Sequence, residues 1–205
     1  MTRGFIRPFA LRAVAEQAKF VKVLVAMTTL DRGSQRALEP WTAPPRLRLR
    51  QISQLKQAGI RVQVALDPLI PELTDTRANL EPLLTALAKL DVKQVTAGYL
   101  FLRPGIVENL RTALQRHGWD DLVLDAYADG PMLAGDGVSA AHYLPKFRRQ
   151  RGYAALMALA SQHGITVQIN SLSNPDFAPP RQAPSIPLQG LLKFHNVTQA
   201  QLSAS

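Results

Sequence analysis

Cysteine is missing from all 205 residues. That absence excludes disulfide staples, thiolate catalysis and any iron–sulfur cluster held by this chain's own thiolates. Long apolar runs are missing too. Purely apolar stretches such as Val23 to Met27 are far short of the roughly 20 residues a membrane span needs. No signal peptide is visible, because Met1-Thr2-Arg3 leads into a stretch broken by Arg7, Pro8 and Arg12. A soluble, cytoplasmic protein without a membrane partner is the expectation. The G-x-S-x-G elbow, the phosphate-binding P-loop and the dinucleotide fingerprint are all absent. The four histidines, His117, His142, His163 and His195, form no i, i+4 pair and have no companion carboxylate, so no metal site is indicated. Acidic residues are outnumbered: 24 Lys and Arg minus 15 Asp and Glu leaves +9, with a pI near 10.4. This balance favours a polyanionic partner such as nucleic acid, but alone it describes only solubility and non-specific attraction.

What is present belongs to a folded protein. An apolar fraction of 46% and a charged fraction of 19% are ordinary for a globular chain, here one large domain or two small ones. Compact β-branched runs at 20–27, 60–66 and 92–102 read as strands, and 165–172 as a further one. Three-to-four spacing predicts helices over 47–58, 79–90, 106–117 and 146–163. Gly59, Gly118 and Gly164 stand where helices stop, His117 and His163 fall in last turns that suit a cation, and Asp75 is the expected N-cap of the second helix. Leu122 to Ala126 reads as one more strand. The alternation implies right-handed βαβ units and a parallel sheet. Five prolines from Pro175 to Pro187 argue against a core element, so 173–205 reads as a surface tail. The chain opens with a short piece, Thr2 to Ile6, and then a helix, as though it began in the middle of a fold.

Ligands of parallel sheets gather at the C-terminal ends of strands. Thr28, Thr29, Asp31, Asp67 and Arg103 are the polar groups at those ends. The competing account is that Thr28 or Asp31 caps the next helix and Arg103 pairs with a surface carboxylate. Two basic clusters also stand out: Arg46, Arg48 and Arg50 between leucines, and Lys146, Arg148, Arg149 and Arg151 beside Phe147 and Tyr153. Arginines next to an aromatic suit phosphate contact and base stacking. A solvated helix face is the commoner explanation of such runs.

The series Met27-Thr28-Thr29-Leu30-Asp31, Leu38-Glu39-Pro40, Ala43 to Leu49, Ala58-Gly59-Ile60 and Asp67-Pro68-Leu69-Ile70-Pro71 resembles the second half of the radical SAM domain in the DNA repair photolyase-like family, which contains the spore photoproduct lyases. The match continues through Ala97 to Arg103 and Gly152 to Leu156, covering roughly residues 1 to 170. It implies an α/β fold, a partial (β/α)6 TIM-like barrel lacking its first strands, over 1–172. It also implies S-adenosylmethionine at the strands' C-terminal ends and a four-iron four-sulfur cluster on a C-x-x-x-C-x-x-C loop, which together generate a deoxyadenosyl radical. That loop is missing here, and Thr2-Arg3-Gly4 looks like the family's third strand. Carried over by motif, Arg3 stands where the family often has Lys for the methionine carboxylate. Ala26 replaces a ribose-binding Ser, and Asp67 replaces a small residue before Pro68, near the adenine. The cofactor-facing set implied is Arg3, Thr28, Thr29, Asp31, Asp67, Pro68 and Arg103, with Glu39 and Pro40 shaping the loop; no catalytic or metal residue is assigned.

Three readings follow. The chain is the C-terminal part or split half of a radical SAM enzyme, not catalytic alone and paired with a chain that supplies the cluster-bearing strands. Or it is a degenerate half-barrel that binds nucleic acid through Arg46, Arg48, Arg50, Lys146, Arg148, Arg149 and Arg151, or serves as an interaction module. Or its start lies inside a longer reading frame. Fold and radical chemistry leave the substrate open, with damaged DNA one candidate.

Overall fold

The alternating periods do build a parallel sheet. The computed structural model describes residues 1–135 and 138–177. In chain order the elements are α1 (Pro8–Glu16), β1 (Lys22–Ala26), α2 (Arg32–Leu38), α3 (Pro45–Gln57), β2 (Arg61–Leu69), α4 (Arg77–Lys89) and β3 (Gln94–Tyr99). There follow β4 (Phe101–Leu102), α5 (Pro104–Gln115), α6 (Asp120–Leu124), β5 (Met132–Gly135), β6 (Val138–Tyr143), α7 (Lys146–Gln162) and β7 (Thr166–Ile169), with short 3-10 turns at Asp125–Tyr127 and Ser171–Ser173. Proline sits in the first turn of α1, α3 and α5, where its missing N–H would have had no partner. Gly59 follows α3 at φ 71°, the left-handed conformation a C-cap asks of glycine.

The main sheet has four parallel strands in the order β1-β2-β3-β7. Its two faces differ sharply. Val25, Val64 and Val95 are fully buried on the helix-covered face, next to Met27, Leu66, Ala97 and Tyr99. Leu80, Leu83, Leu84 and Leu87 of α4 and Ile52 and Leu55 of α3 complete this core. Each such side chain contributes roughly 1.5–3 kcal/mol relative to exposure. The opposite face is small and polar. Successive rows across β1, β2, β3 and β7 read Leu24, Gln63, Gln94 and Thr166, then Ala26, Ala65, Thr96 and Gln168. The two alanines are buried, while Gln94, Thr166 and Gln168 are exposed.

The expected α/β fold is present as a parallel sheet, four strands wide among the described residues. Finer expectations are corrected. The piece 2–6 is not a strand: only Thr2 pairs with β1, donating to the Leu24 carbonyl at 2.8 Å and accepting from the Ala26 N–H at 3.0 Å. Residues 122–126 are helical, because Asp120 and Asp121 favour a helix N-terminus and a short apolar run carries no period of its own. The run 92–102 is broken at Leu100, whose N–H reaches back to the Leu69 carbonyl at 2.9 Å. Beyond it, β4 joins a second, antiparallel sheet of order β4-β6-β5 that the apolar pattern did not announce. The N-cap of α4 is Thr76, which accepts from the Asn79 N–H; Asp75 accepts instead from Glu72 N–H and Tyr99 Oη–H. Of the expected tail from 173, the first five residues are among those described. Ser173 and Asn174 are buried, and Phe177 packs edge-on to Tyr153 at 5.9 Å. The prolines from Pro179 onward lie outside the described residues.

Candidate functional site

The C-terminal edge of β1 and β2 opens into a cavity of about 360 Å³ lined by Arg3, Thr28, Glu39, Trp41, Pro68 and Ile70. Arg3 is held there by its Nη2 donating to the Asp67 carbonyl at 3.1 Å. Its Nε lies 3.0 Å from Glu39 Oε1, yet no acceptor is aligned with that buried N–H. Glu39 in turn takes Arg48 Nη2 at 2.5 Å. Two guanidinium groups thus surround one carboxylate, leaving a local excess of one positive charge. Arg48 is buried because it fastens α3 to the end of β1: Nε donates to the Ala43 carbonyl at 2.7 Å and Nη1 to the Ala26 carbonyl at 2.8 Å, while Nη2 also meets Thr42 Oγ1. Trp41 is almost fully solvent-exposed on the rim, at 96%.

Asp67 sits beside this cavity at the end of β2, joined to Pro68 by a cis peptide. Its Oδ2 accepts from Asn170 Nδ2 at 2.7 Å. Burial pushes its carboxyl above the usual range, against the opposing pull of Asn170 and Arg3. A Cβ on Gly98 would stand 2.7 Å from Ser173 Oγ and 3.0 Å from Asp67 Oδ2, so both side chains close over a position only glycine leaves free. Asn170, Ser173 and Trp41 were not anticipated. Asn170 stands at a strand end like Asp67, and extending the strand-end rule to β7 would have found it. An exposed Trp41 carries no pattern in the sequence.

The structure therefore brings Arg3, Thr28 and Pro68 to one cavity with Asp67 adjoining. It does not bring the rest. Thr29 Oγ1 accepts from the Asp31 N–H at 3.0 Å and Asp31 Oδ2 accepts from the Ser34 N–H at 2.6 Å, so the pair shapes the start of α2. The Ser34 N–H also holds the Asp31 carboxyl below its ordinary range. Arg103 is exposed at the edge of the second sheet, 5.3 Å above the Phe101 ring.

The basic clusters split by burial. Arg46 and Arg50 are exposed, but Arg48 between them is spent inside as described. Lys146, Arg148 and Arg151 are exposed, whereas Arg149 is fully buried. It binds Asp176 through Nη1 at 2.8 Å and Nη2 at 2.7 Å, the Leu144 carbonyl at 2.8 Å and Asn174 Oδ1 at 2.9 Å. Arg48 and Arg149 are thus withdrawn from any nucleic-acid surface, since their donors face internal acceptors. Phe147, Arg148 and Arg151 line a groove of about 460 Å³ together with Glu72, Asp75 and Gly152.

No protein-family model matches the chain. A cysteine-to-serine mutant of spore photoproduct lyase superposes with a TM-score of 0.63 at 16% identity, over 82% of this chain and 50% of that one. The fold resembles part of a radical SAM enzyme. A domain of a pyruvate-formate lyase-activating enzyme from Bacteroides vulgatus aligns with a TM-score of 0.49 at 12% identity, over 80% of this chain and 74% of that one. In sequence, 105 residues are 33% identical to an uncharacterized protein of Mycobacterium tuberculosis, covering 50% of this chain and 31% of the relative. An uncharacterized protein of Acidianus two-tailed virus is 27% identical over 131 residues, covering 62% of this chain and 42% of its own length. The match to the mycobacterial relative thus spans about a third of that protein's length.

The resemblance of the fold to part of a radical SAM enzyme raises the question of which of that enzyme's groups these residues fit. A four-iron cluster does not fit this chain: the sequence has no thiol, and no trio of His, Asp and Glu able to hold a metal occurs among the described residues. An amino-acid carboxylate does fit, since Arg3 Nε is a buried donor without an aligned acceptor at the cavity wall. Ala26 supplies no hydroxyl for a ribose.

Proposed function

We propose that this chain forms the S-adenosylmethionine-binding part of a radical SAM enzyme, with the cluster-binding cysteines carried by polypeptide outside this sequence. The observation that carries the reading is the convergence of Arg3, Thr28 and Pro68 on one cavity at the C-terminal edge of a parallel sheet. Arg3 binds the methionine carboxylate, and its fork geometry makes a stronger, more directional contact than a lysine would. Glu39 and Arg48 position that guanidinium. Asp67 receives the ligand's amino groups, and Trp41 gives a planar ring a stacking face at the rim. When bound beside its cluster, the cofactor supplies a carbon radical for hydrogen abstraction. This chain's residues only bind and orient. The test is anaerobic calorimetry with S-adenosylmethionine. Binding in the micromolar range, lost by at least about tenfold in Arg3→Gln as expected for a charged hydrogen bond, supports the reading. No detectable binding up to millimolar ligand removes it.

A second reading is a nucleic-acid-binding module without chemistry. Phe147, exposed between Lys146 and Arg148 on a groove shared with Arg151, favours it, because bases stack on aromatics while arginines take phosphates. Fluorescence anisotropy with a labelled single-stranded oligonucleotide decides it. Affinity should fall steeply with salt and be lost in Phe147→Ala with Arg151→Ala.

A further inference from the structure

The ends of the strands opposite the Arg3 cavity form a cleft of about 390 Å³, lined by Lys22, Lys56, Arg61, Gln63, Lys93 and Gln94. We propose that this cleft binds a ligand carrying two linked phosphate groups. Four cations converge on it from four places: the start of β1, the end of α3, the start of β2 and the approach to β3. Asp91 is the one carboxylate in the lining, so the cleft carries four positive charges against one negative, an excess of three. That carboxylate is already engaged, by Lys93 Nζ at 2.7 Å and Lys56 Nζ at 3.3 Å. Lys56 also donates to the Leu90 carbonyl at 2.9 Å and the Asp91 carbonyl at 2.5 Å, which fixes the loop.

The second observation is the strand register. Lys22 and Arg61 are direct partners across β1 and β2, so their side chains leave the same face side by side. Like charges placed opposite each other are unfavourable, and among the described residues neither has a carboxylate within ion-pair distance. The one bond Arg61 makes is to the Lys19 carbonyl at 3.3 Å. Nothing in the packing requires this pairing. An anion resolves it. Lys22 and Arg61 take one phosphate, and Lys93, which spends one ammonium hydrogen on Asp91, faces the other. Lys56 has its three hydrogens engaged by Leu90 and Asp91 and adds charge alone. Gln63 and Gln94 follow on the same face and donate amide hydrogens to the bridging or attached oxygen atoms.

The experiment is calorimetric titration of inorganic pyrophosphate into the full chain at low and physiological salt. One-to-one binding that weakens with salt is expected. Lys22→Gln combined with Arg61→Gln should weaken it by about tenfold or more, the loss expected for charged hydrogen bonds. Arg36→Gln with Arg116→Gln, which removes equal charge elsewhere, should change it less than about twofold. Without ligand, Lys22→Gln should melt at or above the parent temperature, as relief of repulsion demands. Four results overturn the proposal. They are no saturable binding, equal losses in the two double variants, a lower melting temperature for Lys22→Gln, or tighter binding of an oligothymidylate through the same residues, which would make the cleft a nucleic-acid track.

Discussion

Arginine has two distinct uses in this molecule, and they alternate within single helices. Arg46 and Arg50 are solvated while Arg48 is built into the fold, and Arg148 and Arg151 flank a buried Arg149. Removing one partner of a buried, hydrogen-bonded pair strands the other, at about 3–5 kcal/mol. Arg149→Ala leaves the Asp176 carboxylate and the Leu144 carbonyl without its guanidinium and Asn174 Oδ1 with Tyr153 Oη in its place, so urea unfolding should show a loss of that size. Arg46→Ala and Arg50→Ala should stay within about 0.5 kcal/mol of the parent. Asp67 gives a second residue-scale expectation. Because burial raises its carboxyl above 3.8 in the fold, the folded state holds the proton more tightly than the unfolded chain. Its stabilising contribution is complete below the unfolded value and is lost as pH rises through the folded one. Asp67→Asn keeps an acceptor for Asn170 and removes that loss. Its stability relative to the parent should therefore grow from acid to neutral pH in thermal melts. Both arginine clusters and Asp67 stand out in the sequence as polar features. Sequence could not sort the arginines, because exposure every third or fourth residue depends on what packs alongside.

Helix α7 shows how an element carries information that its pattern conceals. It is amphipathic only in part, since Arg149 lies on the buried side with Tyr153, Leu156 and Leu159. Gly152 sits where it passes Tyr99. A Cβ there would stand 1.8 Å from Tyr99 Oη, the hydroxyl that donates to Asp75 Oδ2 at 2.9 Å. Glycine inside a helix ordinarily costs 0.5–1 kcal/mol against alanine, roughly, so Gly152→Ala would stabilise an isolated helix. Here the close approach wins. Gly152→Ala should destabilise by about 1–3 kcal/mol and shift the near-ultraviolet signal of Tyr99, whereas a gain in melting temperature would contradict the packing. The helices over 47–58, 79–90, 106–117 and 146–163 were legible because each repeats an apolar position over three turns or more. The 3-10 turn at 171–173 and the second sheet were not. Their residues are set by partners far away in the chain, such as His142, paired with Leu102 and Met132.

Among the described residues, one face of the main sheet is polar and is exposed at β3 and β7. Parallel sheets are usually covered on both sides, and an uncovered apolar face would drive association. The rows across β3 and β7 avoid this with Gln94 and Thr166, then Thr96 and Gln168, and the buried Ala26 and Ala65 keep the centre of the face small. The same face holds Asp67 at one end and Lys22 with Arg61 at the other, so it is chemically graded from acid to base along the strands. Such a face is suited to enclosing polar ligands, and it is consistent with a fold that resembles part of a radical SAM enzyme. Polar rows of this kind disfavour self-association through this face. Sedimentation should accordingly give a monomer near 22.5 kDa. Gln94→Val with Gln168→Val makes an apolar patch across β3 and β7 and should produce concentration-dependent dimers at the same secondary-structure content. If the parent chain dimerises and the double variant behaves no differently, the polar rows are not what keeps this face apart, and the source of self-association lies elsewhere on the surface.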